Sequence, residues 1–115
     1  IMDKSVVCAA KAIIVCVVDD KPVYHGMAFG VEDCAAAVEN MLLATTALGY
    51  ATVWIDGALR IENKAERIGA LLGVPADLSV RIILPLGTPA EERSQPPKRP
   101  FDERAAFNQF PASAQ

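Results

Sequence analysis

One histidine and no Cys-x-x-Cys pair leave this chain of 115 residues without the ligand sets from which transition-metal centres are usually built. Neither Gly-x-Gly-x-x-Gly nor Gly-x-x-x-x-Gly-Lys-Ser occurs, which disfavours Walker-type nucleotide binding. Basic residues do not predominate: 11 Lys and Arg stand against 14 Asp and Glu, giving a net charge of −3 and a pI of about 5.0. Nucleic acid and anionic membrane surfaces are therefore not expected partners. Long apolar runs are missing too, because Ala12 to Val18 is far too short to cross a bilayer and lacks the flanks of a signal or anchor. The expected location is the cytoplasm. Three cysteines, Cys8, Cys16 and Cys34, are odd in number and widely spaced among alanine and valine, which fits reduced, buried thiols better than a disulfide framework.

What is present, 52% apolar residues and 22% charged, suits one globular unit. The opening Ile1-Met2 is not an initiator methionine, and Met2 to Ala10 reads as the end of a helix, so a piece of a longer chain is expected. Ala12 to Val18 is a β-branched run closed by Asp19-Asp20-Lys21-Pro22, the pattern of a central strand covered on both faces. Asp19 to Gly30 forms a long loop containing His25, which is expected to be solvated or structural and has no assigned role. Val31 to Leu48 lacks proline and glycine and opens on Glu32 and Asp33, so a helix is expected there, closed by Gly49. That helix is apolar nearly all round and demands burial all round, which points to a second subunit or a further part of the chain.

Thr52 to Ile55 reads as a short strand. Glu62 to Leu72 has helical spacing through Ala65, Ile68, Leu71 and Leu72, with Asn63 or Ile61 as its possible start and Gly73 and Pro75 as its end. Ser79 to Leu86 is a β-rich run stopped by Pro85 and Gly87. Residues 1–88 are thus the core, and residues 89–115 a tail, extended over Pro89 to Pro100 and then carrying Phe101, Phe107 and Phe110 to dock on its own or a partner subunit. Locally, Trp54 and Ile55 read as core, Asp56-Gly57 as an ordinary turn, and Lys98-Arg99 as a solvated pair.

The order of these pieces carries more than any one of them. VEDCAAAVENMLLATTALGYATVWIDG, then LLGVP, then LPLGTPAEE, then PPKRPFDERAAFNQF, closely resembles the C-terminal part of the FMN-dependent nitroreductase family. The resemblance implies an α+β fold with helices flanking a mixed sheet, completed by an N-terminal part and a second subunit. It further implies a homodimer with FMN at the interface, and ping-pong hydride transfer from NADH or NADPH through FMN to a nitro-aromatic, quinone or similar small-molecule acceptor. By match of motif, Trp54, Ile55, Asp56 and Gly57 would lie along the flavin ring, and Lys98 and Arg99, chiefly Arg99, would hold its phosphate. Fixed backbone N–H donors and a planar guanidinium suit those tasks. No catalytic side chain and no metal ligand are expected. The family's N-terminal Arg/Ser motif and its Ser-x-Asn-x-Gln-Pro segment do not occur in this sequence. The alternative is a truncated, non-catalytic remnant or dimerisation module that binds no flavin.

Overall fold

A computed structural model describes residues 5–92 and 94–110. Helix α1 (Ser5–Ala9) precedes strand β1 (Ala12–Val18), helix α2 (Gly30–Ala47) and strand β2 (Ala51–Thr52). A 3-10 turn (Gly57–Arg60), helix α3 (Lys64–Leu72) and strand β3 (Ser79–Gly87) complete the body. The tail holds one short 3-10 turn, Phe101–Glu103. Of the helix end expected over Met2 to Ala10, residues 1–4 lie outside the described residues.

The three strands lie in the order β1-β3-β2, both pairings antiparallel. The central strand is therefore β3, not β1 as its β-branched run suggested. Val80, Ile82, Ile83 and Leu84 of β3 are buried on both faces of the sheet, whereas Ile13 and Val17 of β1 stay exposed. Helix α2 covers one face, where Val18, Cys34, Val38, Ile82 and Leu84 form a cluster. On the other face Ile55, Leu59, Val80 and Ile83 pack with Ala65 and Ile68 of α3.

A bulge lies where Cys16 faces Ile82 but Val17 faces Val80, so Arg81 is the extra residue of β3. Ordinary alternation would place Val80 beside Ile82 and Leu84; the bulge turns it to the α3 face instead.

Pro85 does not stop β3, contrary to the sequence expectation, and the reason lies in the pairing. Ala51 and Thr52 face Gly87 and Leu86, and the same register continues to an isolated bridge between Ile55 and Ile83. Val53 thus falls opposite Pro85, which has no N–H to donate. The ladder breaks at that one step, and the Thr52 hydroxyl donates to the Pro85 carbonyl at 2.8 Å. The strand expected over Thr52 to Ile55 is present as two pieces in one register.

Both helices end as expected, for a shared reason. Gly49 and Gly73 have φ of 78° and 70°, and the amides that follow turn back: Tyr50 N–H to Thr45 O at 3.0 Å, and Val74 N–H to Gly69 O at 2.9 Å. This capping geometry satisfies carbonyls that a helix end leaves open. Helix α3 starts at Lys64, later than Glu62, because Glu62 and Asn63 both adopt left-handed φ values of 57° and 53°. Of the four residues that carry its helical spacing, Ala65 and Ile68 pack against the core, whereas Leu71 and Leu72 are exposed.

Candidate functional site

The segment from Trp54 to Gly57 joins the sheet to the 3-10 turn, and each residue has a different commitment. Ile55 is buried, and its N–H and C=O both bond to Ile83, at 3.1 and 3.0 Å. It anchors the segment and has no main-chain group left to offer. Trp54, by contrast, is 36% exposed, a flat apolar surface at the edge of the body.

Asp56 is held by two arginines. Arg60 Nε and Nη2 donate to its two carboxylate oxygens at 2.8 and 2.6 Å, and Arg81 Nη2 lies 3.7 Å from Oδ2. The hydrogen bonds from Arg60, helped by the charge of Arg81, hold the Asp56 carboxyl below its ordinary pKa range against the opposing effect of burial. Its carbonyl accepts from Leu59 N–H at 2.8 Å and starts the 3-10 turn. Asp56 thus stiffens the turn.

The turn leaves donors open. Among the described residues the N–H groups of Gly57 and Ala58 have no backbone partner, as expected for the first residues of a helical turn, and Gly57 is exposed. A Cβ at Gly57 would meet nothing within 4 Å, so nothing in this chain requires glycine there. An anchored Ile55, an exposed indole and two amides without a backbone partner suit one side of a flat ligand with a polar edge.

Lys98 and Arg99 are exposed in the tail, and no hydrogen bond or ion pair joins them to residues 54–57 among the described residues. The Arg99 carbonyl accepts from Arg104 Nε at 2.8 Å, which folds the tail on itself. Concavities of about 300 and 330 Å³ lie within the tail and between α3 and β3; neither is lined by the six expected site residues. Within one chain, then, the candidate site has one wall.

Two contributors escaped the sequence reading. Arg81 carried a signal, as the lone charge in Val80-Arg81-Ile82-Ile83-Leu84, but only the bridge between Ile55 and Ile83 brings β3 beside Asp56. Arg60 stands four residues after Asp56, a spacing that pairs charges on any helical turn.

The sequence pattern of the Nitroreductase family matches residues 3–88. The chain belongs to the nitroreductase family. Among relatives of this nitroreductase-family chain, a protein of Archaeoglobus fulgidus provisionally named NADH dehydrogenase/NAD(P)H nitroreductase is 38% identical over 85 residues, covering 74% of this chain and 48% of the relative. One of the same provisional name from Methanothermobacter thermautotrophicus is 39% identical, covering 72% of this chain and 42% of its own. The chain thus spans about half the length of these relatives. An FMN-dependent nitroreductase from Clostridium difficile superposes with a TM-score of 0.73 at 25% identity, over 88% of this chain and 59% of that one. The fold is also that of the NADPH:FMN oxidoreductase of Vibrio harveyi, with a TM-score of 0.71 at 23% identity over 90% and 49% of the two chains.

Proposed function

We propose that this chain belongs to an FMN-dependent NAD(P)H oxidoreductase. It would carry electrons from NADH or NADPH to a nitro-aromatic, quinone or similar acceptor, as a homodimer with FMN at the interface. The observation that carries the reading is the braced turn at Asp56, whose Gly57 and Ala58 amides have no backbone partner and which follows an exposed Trp54, in a nitroreductase-family chain.

Bound FMN supplies hydride chemistry that none of these side chains offers. The residues bind and orient. Amides fixed by the turn would donate to a ring edge that gains negative charge, without reorganising as the charge develops. Arg60 and Arg81 hold Asp56 and so keep those amides in place. Lys98 and Arg99 are cations without an ion-pair partner among the described residues, available to phosphate oxygens if the tail reaches the site of its own or a second subunit. The exposed face of α2, with Ala36, Ala37, Leu43 and Ala47, supplies apolar surface for that second subunit.

Co-expression with any adjoining coding segment and a visible absorption spectrum test the reading. A yellow preparation whose flavin is FMN is expected, with reduction on adding NADH or NADPH. A colourless protein that FMN cannot reconstitute would overturn it and favour the flavin-free dimerisation module. Gly57→Ala should weaken FMN binding about tenfold while leaving the fold intact, because the added methyl meets only the ligand. Arg99→Ala should likewise lower FMN retention without changing the thermal midpoint; unchanged affinity would remove Arg99 from the site.

A further inference from the structure

Cys16 on β1 and Cys34 on α2 meet in the core. Cys34 is 8% exposed in the cluster of Val18, Val38, Ile82 and Leu84, and Cys16 packs against that cluster. The two side chains are close enough for each thiol to bear on the other's ionisation, and neither is in a disulfide. Two cysteines packed into one cluster from neighbouring elements are the starting point a disulfide needs, since its two Cα atoms must lie within about 7 Å of each other. We propose that Cys16 and Cys34 are an oxidisable pair that a peroxide closes into a single disulfide tying β1 to α2. This inference stands apart from the flavin reading.

The chemistry balances with one hydrogen peroxide. Cys16, the more accessible of the two, attacks as its thiolate; an S–O bond forms, the O–O bond breaks, and the departing hydroxide takes up the thiol proton as water. The Cys34 sulfur then displaces hydroxide from the Cys16 sulfenic acid; the S–S bond forms, the S–O bond breaks, and the Cys34 proton leaves in a second water. Two thiols are oxidised and one peroxide is reduced.

Burial pushes both thiols above their usual pKa, and each thiol bears on the other. Around Cys34, Arg81 of β3 favours the thiolate and Asp56 opposes it. Closure should therefore quicken as pH rises.

The test uses the full chain treated with hydrogen peroxide, followed by thiol titration under denaturing conditions, intact mass and a peptide map cut at both lysine and aspartate, which separates Cys8 from Cys16 at Lys11 and Cys16 from Cys34 at Asp19. Two of the three thiols should disappear together, the mass should fall by about 2 Da for the two hydrogens lost, and the peptide holding Cys16 should be linked to that holding Cys34. The thermal midpoint should rise on oxidation and return with dithiothreitol. Cys16→Ala and Cys34→Ala should each abolish the linked peptide, whereas Cys8→Ser should retain it. Oxygen added to one sulfur alone, linkage through Cys8, or survival of all three thiols at alkaline pH would each overturn the proposal. The wild-type peptide map decides the matter even if a variant fails to fold.

Discussion

Gly30 shows how a single hydrogen atom in place of a methyl closes a loop. A Cβ at this position would lie 2.7 Å from the Asp19 carbonyl oxygen and 3.0 Å from Asp20 Oδ1, so the two ends of the 19–30 loop meet there. Gly30→Ala should lower stability by about 1–3 kcal/mol, as overpacking does, read as a lower midpoint in urea; an unchanged midpoint would mean that the loop ends part freely. Asp56 predicts a pH effect. Its folded pKa is depressed below 3.8, chiefly by hydrogen bonds from Arg60, so its stabilising contribution is full above pH 3.8 and disappears as pH falls through the lower folded value. Asp56→Asn should therefore lower the thermal midpoint at neutral pH and flatten its fall below pH 3.8. Exposure of Arg60 keeps the effect modest.

At the scale of elements, periodicity and helix stops were legible and pairing was not. Gly49 and Gly73 announced the ends of α2 and α3 because left-handed backbone is costly for other residues. Gly49→Ala should accordingly cost about 1–2 kcal/mol, with Gly49→Asn costing less; thermal unfolding of the two variants checks both. The break at Pro85 was read as an end because proline lacks a donor. Only the register shows that the lost bond is one step of a ladder that resumes at Ile55 and Ile83. The order β1-β3-β2 was equally hidden, since β1 and β3 are both rich in β-branched residues and only their partners decide which lies inside. For the site, the motif from Trp54 to Gly57 was legible as a piece. The bracing of Asp56 by Arg81 was not, because the bridge between Ile55 and Ile83 joins segments that are far apart in the chain.

The whole molecule is open in shape. Its radius of gyration is 18.0 Å, against about 13 Å for a compact chain of this length. The loop from Asp19 to Gly30 is ordered by a tight turn, with Met27 N–H donating to Tyr24 O at 2.8 Å and positive φ at His25 and Gly26. The expanded part is the tail, where Phe101 and Phe107 stack at 5.9 Å but stay 59% and 80% exposed, and Phe110 is 91% exposed. Docking of these rings on a neighbouring subunit remains our proposal, together with the dimer. Helix α2 was expected to be buried all round, yet one chain buries only Cys34, Val38 and Thr45 and leaves Leu43 61% exposed. Leu43→Glu should convert a dimer to a folded monomer in analytical ultracentrifugation. A wild-type protein that sediments as a monomer at micromolar concentration would overturn the dimer. No helix among the described residues is long and apolar enough to cross a membrane.

The sequence alone determined which segments become helices, where glycine stops them, and the family likeness, because propensity, apolar spacing and left-handed backbone are local properties. It also showed that α2 has more apolar surface than one small body can cover. Tertiary structure decided which strand lies at the centre, which cysteines pack together, and that Asp56 spends its charge on Arg60 and Arg81. Those outcomes depend on register, a bulge and packing between residues distant in the chain, and no local pattern encodes them.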